Sequence, residues 1–260
     1  MKKTLLLTAV LLPLTAGAAT AQGPGTNLSW NDCTASLGTN LNMTSSCTSN
    51  TEETKNLYGT FVLPAGGGQA VNGNEIVLDA QTAGTSLPCW WNMTVSPRDA
   101  GFGMNTTVCR DAGAVGIYDY WSTIAGGPQS GLRAGIGQFC GGDCPPYCGG
   151  CPPQRVRFTM VVAIDPNLAT AVPEYTETYS FTFQLKFGAT VGTCTGCETP
   201  ACFLLAFIRV TQTNLPYFEF RGPSARNWVT WQGGAIAAPG CPNAVPTANK
   251  TWGSVKALYR

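Results

Sequence analysis

Residues 175–187 read YTETYSFTFQLKF. Tyr175, Tyr179, Phe181, Phe183, Leu185 and Phe187 alternate with Thr176, Thr178, Ser180, Thr182, Gln184 and Lys186. Strict period two sets one row of side chains against a core and the other toward water, so the stretch predicts a half-buried β-strand, with Glu177 in the apolar row. Working outward, weaker versions recur at 56–63 (NLYGTFVL), 75–80 (EIVLDA), 155–164 (RVRFTMVVAI), 203–212 (FLLAFIRVTQ), 217–220 (YFEF) and 227–231 (NWVTW). Turn-forming clusters such as PAGGGQ and GPSARN lie between them. Short strands punctuated by turns predict an all-β fold, a disulfide-rich two-sheet sandwich with jelly-roll or Greek-key wiring. Only the tail TWGSVKALYR offers a helical face, through Trp252, Val255 and Leu258, and a last strand fits it nearly as well. An outer-membrane barrel would also alternate, but a dozen cysteines and an ending in Tyr259-Arg260 argue against one.

Residues 1–21 have the three parts of an export signal: Lys2 and Lys3, an apolar run from Leu5 to Leu14, and a small-residue cleavage site at Ala19-Thr20-Ala21. The mature chain is then expected to begin at Gln22 and to form one domain over 22–260. Downstream no run of about 18 apolar residues occurs, so no membrane insertion by a helix is expected. The Lys-rich start points to a bacterial, secreted or surface-held protein.

Export sets the redox conditions for the 12 cysteines, all of which lie in the mature part and whose even number fits complete pairing. Four crowd into CGGDCPPYCGGCPP at 140–153, where Cys140, Cys144, Cys148 and Cys151 are spaced by three, three and two residues. Two C-x-x-C knuckles would suit zinc or iron, and only one is present. Pro152 and Pro153 oppose the helix start that a redox thiol pair uses. The cluster is therefore expected to form two bridges within a stitched loop, with no metal and no cofactor. By proximity, Cys33 is expected to pair with Cys47, Cys89 with Cys109, and Cys194, Cys197, Cys202 and Cys241 among themselves.

Charged residues make up 11% of the chain, against roughly 25% in ordinary soluble proteins. Removal of Lys2 and Lys3 leaves 13 basic and 14 acidic residues, a net of −1. No basic cluster is present, which speaks against nucleic acid and anionic membrane as partners.

The chain contains no histidine, which eliminates Ser-His-Asp and Cys-His catalysis, c-type haem attachment and most catalytic zinc sites. A carboxylate pair of the glycosidase kind survives as an option. Glu75 and Asp79, four apart in a predicted strand, would share a face, although the plainer reading is of solvated strand faces or turn caps. Calcium at NGNE (72–75) would need a more complete acidic loop. Among the tryptophans, Trp90 and Trp91 in a strand would point to opposite faces, as would Trp228 and Trp231. These four are the candidate ligand-stacking residues, with core filling as the plain alternative. Sequons at Asn27, Asn42, Asn92, Asn105 and Asn249 are read as a by-product of abundant Asn and Thr.

The strings WNDC (30–33), VTWQGGA (229–235) and TWGSVKALYR (251–260) resemble the openings and endings of uncharacterised secreted bacterial proteins. The resemblance implies export and no particular activity, with the 140–153 cluster as a departure. Two function classes follow. One is a non-catalytic extracellular structural or adhesion protein, self-assembling into a surface layer or filament. The other is a carbohydrate-binding module or carboxylate-dependent glycosidase acting on extracellular glycans.

Overall fold

A computed structural model describes residues 23–31, 40–93, 96–106, 117–119, 121, 133–139 (backbone only), 154–221 and 226–234. The expected leader, Cys33, Cys109, the 140–153 cluster, Cys241, Asn249 and the tail lie outside the described residues. Thirteen strands are described, with no α-helix among the described residues. They are β1 (Gly25–Trp30), β2 (Asn42–Met43), β3 (Lys55–Val62), β4 (Gly68–Thr82), β5 (Phe102–Asn105), β6 (Ile117–Tyr118), β7 (Arg133–Phe139), β8 (Arg155–Ala163), β9 (Thr170–Val172), β10 (Glu177–Leu185), β11 (Ala201–Gln212), β12 (Leu215–Arg221) and β13 (Trp228–Trp231).

Two sheets pack face to face. The smaller runs β1-β3-β10-β5, with β6 also pairing β10; the larger runs β2-β13-β11-β4-β8-β7, with β12 also on β11 and β9 on β4. The predicted sandwich is thus the observed one. All six weaker predicted segments fall within β3, β4, β8, β11, β12 and β13 or reach one residue past their ends. Alternation explains why: Val156, Phe158, Met160 and Val162 of β8 are buried, while Arg157, Thr159 and Val161 between them are partly exposed. Phe158 meets Phe183 of the opposing sheet with ring centroids 4.6 Å apart, at the centre of the core.

The 175–187 stretch forms β10, with one correction. The register shifts between Tyr179 and Phe181, so that Tyr179 stands opposite Thr60 and Phe181 opposite Gly59. Adjacent residues of β3 point to opposite faces. The bulge therefore sends Phe181, Phe183 and Leu185 toward the larger sheet, and Glu177 and Tyr179 to the other face. Ser180, the extra residue, accepts a hydrogen bond at 2.8 Å from Asn74 of the larger sheet. Tyr175 lies before the strand at φ 48° and is 47% exposed, so it is not part of the buried row.

Gly59 shows how tightly β3 and β10 are fitted. A Cβ there would stand 2.0 Å from Cε1 of the Phe181 ring, which is itself fully buried and has nowhere to move. Gly59→Ala is expected to lower the unfolding free energy by about 2 kcal/mol, read by urea denaturation.

Candidate functional site

Three of the four candidate tryptophans meet in the core. Trp90 and Trp91 lie on a short 3-10 helix, Cys89–Trp91, and not on a strand, so neighbouring side chains both turn inward and both are fully buried. Trp231 of β13 and Trp30 of β1 complete the group. Trp90 stacks on Trp231 at 5.7 Å, and Trp30 meets Trp231 at 5.9 Å and Phe203 edge-on at 5.3 Å. Buried indoles need acceptors. Trp30 donates to the Thr230 carbonyl, Trp90 to Thr190 Oγ1, Trp91 to the Gly196 carbonyl and Trp231 to the Cys197 carbonyl, at 2.7 to 3.1 Å. Trp90, Trp91 and Trp231 are therefore core, with no face open to a sugar. Trp228 does point away from Trp231, as predicted, and packs half-buried against Cys202, Leu204 and Ala206 on the other face of the larger sheet.

Arg98 closes this cluster. It is fully buried, its guanidinium 4.4 Å from the Trp90 ring centroid, and it donates to the carbonyls of Trp90, Lys186 and Gly188. No carboxylate is among these partners, and burial pushes its pKa down to about 10.

Two disulfides flank the tryptophans. Cys47 joins Cys197 and Cys89 joins Cys194, with Cα separations of 5.7 and 5.2 Å. These replace the expected Cys33–Cys47 and Cys89–Cys109 pairs, and Cys194 and Cys197 bond outside the expected group of Cys194, Cys197, Cys202 and Cys241. The reason is topological: a disulfide requires Cα atoms within about 7 Å, and the strands bring together segments 150 and 105 residues apart in sequence. Cys202 is disulfide-bonded too; the other four described cysteines pair with one another, so its partner lies outside the described residues.

Glu75 and Asp79 do share a face of β4, and each is held in an ion pair. Arg157 grips Asp79 bidentately at 2.6 and 2.8 Å. Burial works against the Arg157 charge, but the Asp79 carboxylate outweighs it and raises the guanidinium pKa. Glu75 accepts from Arg209 at 2.9 Å, and Arg209 also binds Glu219, which Arg221 holds below the usual carboxylate range. Four residues of extended chain separate the two Cα atoms by about 13 Å, and each carboxylate is turned to its own arginine. NGNE (72–75) lies inside β4, where Asn72 accepts from Thr211, Asn74 donates to Ser180 and Glu75 binds Arg209. A strand turns alternate ligands to opposite faces, which is unsuited to a calcium loop. No group of three metal-ligating side chains occurs among the described residues.

Sequence reasoning missed three features. Asn27, Thr60 and Glu177 form a buried polar cluster on the far face of the smaller sheet. A shallow groove of about 590 Å³ lies among Gly66, Gln69, Tyr118 and Val172 to Glu174. The third is the edge position of the predicted strand β12, which among the described residues pairs with β11 alone and exposes Leu215 and Tyr217 at 44% and 56%. Only β12 left a sequence signal, through its alternation. The other two depend on register.

Asp79→Asn is expected to cost on the order of 2 kcal/mol of stability, because it leaves the Arg157 charge without its counter-ion. Replacing Cys47 and Cys197 together by Ser is expected to cost about 4 kcal/mol, given the long loop released. Denaturation of both variants beside wild type checks the two values. No family model, curated protein or solved structure matches the chain.

Proposed function

We propose that the mature chain is an exported, non-catalytic extracellular structural protein that assembles with further copies of itself through β12. The observation that carries this reading is the open edge of β12: among the described residues nothing pairs with its second side. Unpaired strand edges are templates for another strand. Its flank is self-complementary in charge. Tyr217, Glu219 and Arg221 share a face, with Arg209 stacked 4.5 Å from the Tyr217 ring and bonded to Glu219. Two copies pairing antiparallel about Phe220 would set Glu219 of each opposite Arg221 of the other. The disulfides accord with an oxidising compartment such as the cell exterior. No helix among the described residues is long and apolar enough to cross a membrane.

A second reading, a glycan-binding module, draws on the groove beside Tyr118, Gln69 and Glu174, where one aromatic ring and two polar side chains converge. A glycan array with wild type and Tyr118→Ala separates the two: retention that depends on Tyr118 favours the groove.

For the assembly reading, sedimentation velocity of the mature protein is expected to show concentration-dependent oligomers. Tyr217→Lys, which places a charge on the exposed edge, is expected to shift them to monomer, with only a small fall in melting temperature from the lost Arg209 stacking. A wild-type monomer at every attainable concentration, or turnover in a glycosidase and esterase screen, overturns the proposal.

A further inference from the structure

The Asn27, Thr60 and Glu177 cluster has no part in the assembly reading. These residues stand on three adjacent strands, β1, β3 and β10. Asn27 is directly opposite Thr60, and Glu177 is opposite Val62, so its side chain reaches back across β3. Asn27 and Thr60 are fully buried and Glu177 is 6% exposed. Asn27 Nδ2 donates to Glu177 Oε1 at 2.6 Å, and Thr60 Oγ1 donates to the same oxygen.

This leaves two buried acceptors, Asn27 Oδ1 and Glu177 Oε2, with no hydrogen-bond donor. Leaving such atoms unpaired is costly. A carboxyl and a carboxamide are both planar forks, and the bond already made between one arm of each allows the remaining arms to meet. A single proton on Oε2 supplies the missing donor. We propose that Glu177 is kept as the neutral acid and closes a two-bond acid–amide ring with Asn27, a proton-dependent latch that fastens the edge strand β1 across β3 to β10.

The surrounding charges agree with this state. Burial raises the Glu177 pKa, and the hydrogen bonds from Thr60 and Asn27 and the charge of Arg226, ahead of β13, only partly oppose it. Among the described residues the other titratable groups near it in register are Glu174 and Tyr175 before β10, Tyr58 on β3, and Tyr118 with Asp119 at the end of β6, which pairs alongside Glu177 and Thr178. None of these supplies a second cation.

The sign of the pH dependence follows by linkage. With the folded value raised above the unfolded one, the folded chain holds the proton longer. The latch is at full strength below the ordinary Glu value and is lost as pH rises through the folded one. Other carboxylates, such as Glu219, act in the opposite sense at low pH, so the difference between wild type and Glu177→Gln isolates the latch. Gln can form the same two-bond ring without a titrating proton.

The test measures melting temperature from roughly pH 4 to 9, with disulfides intact, for wild type and Glu177→Gln. It adds the infrared difference spectrum of the two at neutral pH. The expected result is a protonated-carboxyl stretching band at neutral pH that is absent in the variant, and a wild-type melting temperature that falls relative to the variant as pH rises. Absence of the band, or parallel pH profiles, overturns the proposal. If Glu177→Gln fails to fold, titration of the band in wild type decides: its loss only above neutral pH supports the latch, and its absence at neutral pH removes it.

Discussion

The packing of four indoles between the sheets constrains everything around them. An indole in a core fills space only if its N–H finds an acceptor. Trp90, Trp91 and Trp231 find theirs on the 190–197 segment, at Thr190, Gly196 and Cys197. That segment has no regular ladder of its own. Its conformation is fixed from outside, by the indoles and by Cys194 and Cys197, which tie it to Cys89 and Cys47. Aromatic packing and covalent bonding thus act on the same short loop. Arg98 adds a cationic lid whose donors satisfy carbonyls at Lys186 and Gly188, the entrance to that loop. Removing an indole would leave both a cavity and an unpaired carbonyl.

A chain with only 11% charged residues has few ions to spare, and six of those described are gathered into one set of ion pairs. Arg157 meets Asp79, while Arg209 bridges Glu75 and Glu219 and Arg221 adds to Glu219. These pairs link β4, β8, β11 and β12 across the outer face of the larger sheet. They act as cross-strand fasteners, with side chains 5% to 29% exposed, where screening by water is reduced. A carboxylate engaged in this way is poorly placed to attack a substrate.

Period-two alternation made the sandwich legible, because burial of one face is a local property of sequence. What failed was whatever depended on register or on distant chain. The 175–187 row is continuous on paper, yet a single extra residue at Ser180 divides it between two faces, and nothing in YTETYSFTF marks Ser180 as a bulge. Opposite faces for Trp90 and Trp91 require a strand, and the segment is a 3-10 turn. Pro88 before the Cys-Trp-Trp turn was the available hint of a helical start. The cysteine partners were illegible in principle, since proximity in sequence carries no information about segments that a β-topology joins over 105 and 150 residues. The Asn27 and Glu177 pair, also separated by 150 residues, was hidden for the same reason.

Strand β1 then takes on a role that its position at the edge of the smaller sheet does not announce. One side of it pairs with β3 over its whole length. On its other side Leu28 donates to the Arg226 carbonyl at 2.9 Å and Trp30 to that of Asn40 at 3.0 Å, while the Trp30 indole reaches Thr230. The edge of the smaller sheet is therefore spent on the segments leading into β13 and β2, and these in turn cover the β13 side of the larger sheet. Closure along this seam removes two edges that would otherwise accept foreign strands. It also concentrates the fold's dependence on β1, held by Trp30 at one end and by Asn27 near the other. The contrast with β12 is physical: its inner face contributes Phe218 and Phe220 to the core, while its free side has no such seam among the described residues.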